Sequence, residues 1–215
     1  MYILLQKMGE TMTQCVAKKV IERIYGHGRG WVFTPIDFGD IGSRTTVAQA
    51  LLRYRKKGRI RQLCRGIYDY PQIDPQLGKL APSINRIISA LGRRDSVRLQ
   101  PSGSYAANLL GLTDQVPMKI VLLTDGPARK IRLGNQYIQL KPTTPRNMAT
   151  AGRISGTVIQ ALRWLGKRHV DEQITNTLRK NLDADAKQQL MKDIRHAPIW
   201  IADVIRSLAG ENATQ

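Results

Sequence analysis

Between residues 31 and 70 the sequence places two short helices on either side of a tight turn, an arrangement that few folds accommodate. An N-cap, a proline and an acid mark the start of the first helix: Thr34, Pro35 and Asp37. Gly39 and Gly42 bracket the turn. Ser43 caps the second helix, which we expect to continue to Lys57, just before another glycine. The segment therefore predicts a helix–turn–helix.

One further helix precedes this segment, and a pair of strands follows it. A helix over 14–25 is predicted because apolar side chains recur there at helical spacing: Val16, Val20, Ile21 and Ile24. Three strands are expected, at 31–33, 60–64 and 67–70. The last two strands form a hairpin. This order of elements predicts a winged helix-turn-helix domain over residues 13–72, with the hairpin as the wing.

Apolar residues decide which sides of the two short helices face inward. Phe33 and Phe38 occupy the two positions of a hydrophobic staple around the first of them. The inner face of the second is predicted from Val47, Leu51 and Tyr54, with Ala48 and Leu52 beside them. The polar side chains of the second helix are therefore expected to face outward.

Residues 80–215 are expected to form a second domain, which begins with an amphipathic helix over 83–91. Its β-rich part covers 97–142, with the clearest strands at 118–123, 128–133 and 136–141. Its helical part covers 154–209, with helices at 154–166, 170–181, 184–195 and 198–209. The fold class is therefore α+β: an N-terminal winged helix-turn-helix, then a mixed α/β domain with a small sheet and a helical C-terminal part.

Positive charge sets this chain apart from an ordinary globular protein. It has 34 Lys and Arg against 16 Asp and Glu, a formal net charge of +18 and a pI near 10.4. Such an excess attracts polyanions, because their condensed counterions are released on contact. Per residue, the segment 13–70 is about twice as basic as the rest of the chain. Charge alone would also fit a ribosomal or a membrane-surface protein.

The position of the basic residues favours double-stranded DNA as the partner. The third helix of a winged helix-turn-helix lies in the major groove with its N-terminal turns nearest the bases. Six polar or basic residues are predicted on its outer face: Ser43, Arg44, Thr45, Thr46, Gln49 and Arg53. Lys56 follows them, and from the wing we expect contacts to phosphates or the minor groove by Arg59, Arg61 and Arg65. A solvated basic surface is the alternative interpretation, and Ser43 also has its role as an N-cap.

A second basic surface is predicted in the second domain. No acid occurs among the 45 residues between Asp125 and Asp171. We expect this surface to include Arg129, Lys130, Arg132, Lys141, Arg146 and Arg153. Its ligand could be RNA, further DNA or an acidic protein, and a merely solvated surface fits as well.

The two cysteines, Cys15 and Cys64, are expected to be free thiols in a reducing compartment. They belong to no Cys or His cluster, so we expect neither a metal nor a cofactor. The apolar run at residues 2–5 is too short for a signal peptide, and no segment approaches the roughly 20 apolar residues of a membrane span. A cytoplasmic protein without membrane contact is expected.

The sequence offers little evidence for an enzyme. The three histidines lack a carboxylate or nucleophile at a familiar spacing. Asp125 followed by Gln139 and Lys141 is similar to the acid and lysine pattern of metal-dependent nucleases, but a second metal-binding acid is missing. We expect no catalysis, and a DNA-targeted nuclease is the less favoured alternative.

Several motifs resemble those of the bacterial AbiEi family, the antitoxins of type IV (abortive infection) toxin–antitoxin pairs. In the first domain they are F-T-P-I-D-F at 33–38, L-L-R-Y-R-K-K-G-R-I at 51–60 and L-C-R-G-I-Y at 63–68. In the second they are P-S-G-S-Y-A-A-N-L-L-G-L at 101–112 and P-M-K-I-V-L-L-T at 117–124. The resemblance covers about residues 13–145.

This resemblance implies an N-terminal domain that represses the antitoxin–toxin operon. It also implies a C-terminal domain that counteracts a cognate nucleotidyltransferase-like toxin, directly or indirectly. Members commonly bind inverted repeats, so two copies on one operator are expected. The alternative is a winged-helix transcription factor whose C-terminal domain has a different effector.

Overall fold

Two units make up the computed structural model, residues 1–96 and residues 97–215. The structure describes the backbone of residues 2–210 and the side chains of residues 14–210. Helices, strands and three short 3-10 turns alternate in both units, so the fold class is α+β, as the sequence predicts. None of the helices in the described part of the chain is long and apolar enough to cross a membrane.

Up to residue 69 the elements of the first unit follow the predicted order, but the first helix of the predicted helix–turn–helix is a 3-10 turn of 4 residues. The elements of this unit are α1 (Tyr2–Gly26), β1 (Val32–Phe33), a 3-10 turn (Pro35–Phe38), α2 (Arg44–Lys56), β2 (Arg61–Cys64), β3 (Ile67–Asp69), β4 (Ile73–Asp74), β5 (Gly78–Lys79) and α3 (Ile84–Asp95). Helix α1 begins well before the predicted residue 14, and the apolar run at 2–5 lies in the part whose side chains are outside the described residues. The hairpin of β4 and β5 was not predicted.

Strands β1, β3 and β2 form an antiparallel sheet in that order, so the hairpin pairs with the strand after α1. The predicted staple is confirmed, because Phe33 and Phe38 are buried with their rings 5.6 Å apart, edge to face. In α2 the buried residues are Val47, Ala50 and Leu51. The prediction for Ala48 and Leu52 was wrong: both are exposed, since the helix turns its Ala50 side to α1.

Helix α3 belongs to the first unit, whereas the sequence placed residues 80–96 in the second domain. Its Ile87, Ala90 and Leu91 are buried. Arg86 donates to the Gly30 carbonyl oxygen at 2.6 Å, and Arg93 pairs with Asp37 at 3.1 Å. The boundary lies at residue 96 because these contacts join residues 56 apart in sequence, which local patterns do not reveal.

The second unit combines a four-stranded sheet with a group of helices. Its elements are β6 (Leu99–Ser102), α4 (Gly103–Leu109), β7 (Lys119–Thr124), β8 (Arg129–Leu133), β9 (Gln136–Pro142), α5 (Pro145–Met148), α6 (Ile154–Leu165), α7 (Glu172–Asn181), α8 (Ala184–Asp193) and α9 (Ile199–Ala209), with 3-10 turns at Lys167–His169 and Ile194–His196. The sheet order is β6-β7-β9-β8, and only β7 and β9 run parallel. The helices agree with those predicted to within a few residues.

Helix α6 is the centre of the helical core. Its residues from Ser155 to Leu162 are all buried, and they pack with apolar residues of α4, α7, α8 and α9. Asp193 is also buried, at 3% exposure. Its carboxylate accepts hydrogen bonds from Ser155, from Gln189 at 2.8 Å and from Arg153 at 2.8 Å. This carboxylate therefore ties the end of α8 to the start of α6.

Burial alone would raise the pKa of Asp193, but the Ser155 and Gln189 hydrogen bonds and the Arg153 charge lower it below its ordinary value. A carboxyl group whose pKa is lower in the folded state stabilises the fold above its unfolded pKa, and this contribution is lost as the pH falls through the folded pKa.

We expect Asp193→Ala to lower the free energy of unfolding by about 2 kcal/mol at pH 7, because three donors lose their acceptor. Urea denaturation at pH 7 and at pH 3 measures this, and the difference from the parent chain should shrink at the lower pH. Asp203→Ala is the matched control, because Asp203 pairs with Arg206 in an exposed salt bridge and should matter little. Equal effects of the two substitutions would contradict the structural role of Asp193.

Candidate nucleic-acid interface

The exposed face of α2 is the first candidate interface. Ser43 caps the helix, since its hydroxyl oxygen accepts from the Thr46 backbone N–H at 3.3 Å. The Thr46 hydroxyl in turn bonds to that of Ser43 at 2.8 Å, so both hydroxyls take part in the cap. The opposite side is fixed by buried Val47 and Leu51 and by Tyr54, whose hydroxyl donates to the Ala17 carbonyl oxygen at 3.0 Å. The outer face is therefore held in one orientation.

The side chains on this outer face are exposed and carry no acid. They recur at helical spacing along α2: Arg44, Thr45, Ala48, Gln49, Leu52, Arg53 and Lys56. Of the predicted contact residues in α2, only Thr46 is half-buried. With 13 residues the helix is about 20 Å long, and an α-helix fits the major groove of B-DNA, which is about 12 Å wide. The arrangement can place arginine and glutamine side chains against base edges.

A surface groove lies beside the N-terminal end of α2. It has a volume of about 560 Å³, and its lining includes Ile36, Arg44, Gly66 and Arg94. The Arg94 guanidinium donates to the Arg65 carbonyl oxygen at 2.6 Å, which holds the wing turn against α3. The sequence could not indicate Arg94 as a neighbour of this groove, because it lies on the helix assigned to the other domain.

The three arginines predicted on the wing have different environments in the structure. Arg59 and Arg65 are exposed. Arg61 instead donates to both carboxylate oxygens of Asp69, at 3.1 and 2.6 Å, and to the Leu80 carbonyl oxygen at 2.8 Å. Asp69 is only 1% exposed, and its hydrogen bond raises the pKa of Arg61. Arg61 therefore compensates a buried carboxylate, a role that the sequence did not indicate, and its contact with DNA stays a prediction.

The residues predicted to form the second basic surface lie on different faces of the sheet or outside it. Lys130, Arg132 and Lys141 share one face, because Lys130 is paired with Gln139 and Arg132 with Tyr137 in the register of β8 and β9. Arg129 lies on the other face, paired with Leu140. Arg146 is exposed on α5, outside the sheet. Arg153 pairs with buried Asp193, so it is a structural cation rather than a free one.

Asp125, the acid of the weak nuclease pattern, is paired with Arg98. Asp125 accepts from the Arg98 backbone N–H and from its guanidinium, both at 2.8 Å, and the hydrogen bond from the Arg98 side chain is the main reason that the pKa of Asp125 is lowered. Within residues 14–210, no group of three His, Cys, Asp or Glu side chains could hold a metal ion. Cys15 and Cys64 are free thiols, and burial raises the pKa of Cys64.

The role assigned to Arg61 can be tested through stability. We expect Arg61→Ala to lower the free energy of unfolding by about 2–3 kcal/mol, because Asp69 stays buried without its partner. Arg59→Ala removes the same charge from an exposed position and should change stability by less than about 0.5 kcal/mol. Urea denaturation of both variants measures the difference. If Arg61→Ala were as stable as Arg59→Ala, the arginine would be available for another role.

Comparisons with known proteins add a family and a distant structural likeness. A family model described as "Family of unknown function (DUF6088)" matches residues 19–190. The sequence matches no curated protein. The crystal structure of the RV2827C protein from Mycobacterium tuberculosis is similar with a TM-score of 0.43 and 16% identity, over 93% of this chain and 76% of that chain. That likeness is too distant to carry an argument.

Proposed function

The chain belongs to the DUF6088 family, a family of unknown function, and we propose that its first unit binds double-stranded DNA as a winged helix-turn-helix. The observation that carries this proposal is the outer face of α2, which is exposed, free of acids and backed by a buried core. In this fold, the N-terminal turns of the second helix of the motif contact base edges. Here those turns present Arg44, Thr45 and Gln49.

In this proposal, one set of residues reads the bases and another set contacts the phosphates of the DNA. Arg44 suits the two acceptors of guanine, and Gln49 suits the acceptor and donor of adenine. Arg53 and Lys56 follow along the helix, and Arg59 and Arg65 extend from its end and from the wing turn. These four cations contact phosphates, which positions the protein without reading sequence.

The division of roles predicts two distinct mutant phenotypes on the duplex directly upstream of this chain's own gene. Arg44→Ala is expected to reduce the preference for this duplex over a scrambled one by about 1–3 kcal/mol, because a base contact is lost. Arg65→Ala should weaken binding to both duplexes alike and reduce the slope of log affinity against log salt by about 0.9. Fluorescence anisotropy at several salt concentrations measures both.

Arg168→Ala is the matched control for these variants, because Arg168 is an exposed arginine of the second unit. It should bind both duplexes like the parent chain. Identical behaviour of Arg44→Ala and Arg168→Ala would contradict the proposed interface. If Arg44→Ala and Arg65→Ala lost the same affinity on both duplexes, Arg44 would contact phosphates rather than bases. That result would overturn the proposed division between base readout and phosphate contact.

We further propose that the chain is an antitoxin that represses its own operon and counteracts a nucleotidyltransferase-like toxin. Support comes from the resemblance of its motifs at 33–68 and 101–124 to those of the AbiEi family. The proposed helix-turn-helix provides the DNA-binding part. Neutralisation is assigned to the second unit, which shares none of the proposed DNA contacts.

If these two activities belong to different units, one doubly substituted chain should separate them. Arg44→Ala with Arg53→Ala is expected to release a reporter driven by the chain's own promoter, while growth rescue of cells that express the neighbouring nucleotidyltransferase gene is retained. The doubly substituted chain should unfold at the same urea concentration as the parent. Absence of a nucleotidyltransferase gene beside this one, or loss of rescue together with repression, would contradict the antitoxin proposal.

A further inference from the structure

Strands β7, β8 and β9 of the second unit place buried apolar residues on one face of the sheet and exposed basic residues on the other. Side chains of directly paired residues point to the same face of a sheet, and alternate residues of a strand share it. One face carries buried Ile120, Leu122, Ile138 and Leu140. The other carries five exposed residues, which we call the basic sheet face: Lys119, Lys130, Arg132, Tyr137 and Lys141. They come from three strands, so pairing alone brings them together.

Within the described residues, no acid of the second unit neutralises the cations of this face. Among residues 14–210, no carboxylate forms an ion pair with Lys119, Lys130, Arg132 or Lys141, and the Arg132 guanidinium donates only to the Gly134 carbonyl oxygen, at 3.2 Å. The sole acid between residues 115 and 170 is Asp125, which is already paired with Arg98. The face is therefore a positive surface without internal anions.

A groove of about 710 Å³ extends the basic sheet face toward the end of α6. Lys119 and Lys141 line it together with Arg163 and Trp164. The Arg163 guanidinium donates to the neutral Asn147 side-chain oxygen at 2.7 Å, so it is held in place without losing its charge. Burial, and then the charge of Arg146, lower its pKa, as expected where no anion is near.

Two aromatic side chains lie exposed within this positive surface. Trp164, at the rim of the groove, is 50% exposed, and Tyr137, on β9, is 37% exposed. Large exposed aromatics cost free energy in water, and on a cationic surface they provide flat faces on which nucleobases stack. Exposed Tyr and Trp are also common at protein–protein interfaces, so an acidic protein is the alternative partner that the test below must separate from nucleic acid.

The spacing of the cations favours a chain of phosphates over a single phosphate. Lys119 and Leu123 are four residues apart on β7, and Leu123 is paired with Lys141. At about 3.3 Å per residue, the two lysines are offset by roughly 13 Å along the strands. With both side chains extended away from the sheet, the two ammonium groups lie too far apart for one phosphate group, whereas a strand of several nucleotides can contact both.

We propose that the basic sheet face and its groove bind single-stranded nucleic acid, with bases stacked on Tyr137 and Trp164 and phosphates held by Lys119, Lys141 and Arg163. A duplex keeps its bases stacked on each other, so it cannot use the two aromatic rings. This site is separate from the α2 face and does not depend on the function proposed for it.

The test uses the full chain and fluorescein-labelled dT12 and U12, which do not form duplexes. Fluorescence anisotropy should show binding of at least one of them. Tyr137→Leu and Trp164→Leu are expected to weaken it by about 5- to 150-fold each, the range known for loss of one stacked base. Lys119→Ala with Lys141→Ala should weaken binding of the single strand. It should also reduce the slope of log affinity against log salt by about 1.4, because two phosphate contacts are lost.

Lys180→Ala with Lys192→Ala is the matched control, because both lysines are exposed in the same unit but lie on α7 and α8. This control and Arg44→Ala should both bind the single strands like the parent, which separates this site from the duplex-binding one. The proposal is overturned if neither oligonucleotide binds, or if Arg44→Ala loses as much affinity as the sheet variants. Displacement by polyglutamate with no effect of Tyr137→Leu or Trp164→Leu would identify an acidic protein surface instead.

Discussion

The burial of a few carboxylates determines which of the many cations in this chain remain available to contact a ligand. With 34 basic and 16 acidic side chains, nearly every acid can form an ion pair with an arginine. Asp69 pairs with Arg61, and Asp193 pairs with Arg153. Both acids are less than 5% exposed. A buried carboxylate without a partner would cost several kcal/mol, so these arginines are bound to the fold. The cations that remain exposed without an acid partner are the ones that can contact a ligand.

This pairing of acids with arginines explains which side-chain environments could be predicted from the sequence and which could not. The outward direction of the polar side chains of α2 was predictable, because helical spacing places them opposite Val47 and Leu51. Ala48 and Leu52 also lie on that outer face, where the sequence did not place them. Arg61 and Arg153 look the same in sequence as their exposed neighbours. Their partners are 8 and 40 residues away, and pairing depends on tertiary packing. Local patterns therefore predict which residues are basic and on which element, but not which of them are neutralised.

The same limit applies to the fold. Most helices and strands were predicted to within a few residues, because caps, turns and apolar spacing are local signals, as at Ser43, whose hydroxyl caps α2. The assignment of α3 to the first unit was not predictable, since it depends on Arg86 and Arg93 reaching backbone and carboxylate groups 56 residues earlier. The acid-free stretch marked a basic surface, and only the strand register shows that Lys119 and Tyr137 join it while Arg129 does not.

The two candidate surfaces differ in shape, and shape sets the form of nucleic acid that each can accept. Helix α2 is convex and presents extended side chains, which suits a groove whose base edges are accessible while the bases remain paired. The basic sheet face presents aromatic rings beside lysines, which suits bases that are free to leave their own stack. A register shift of one residue in β9 would move Tyr137 and Lys141 to the buried side and bring Ile138 and Leu140 outward. The hydrophobic core under the sheet therefore also fixes the chemistry of its exposed face.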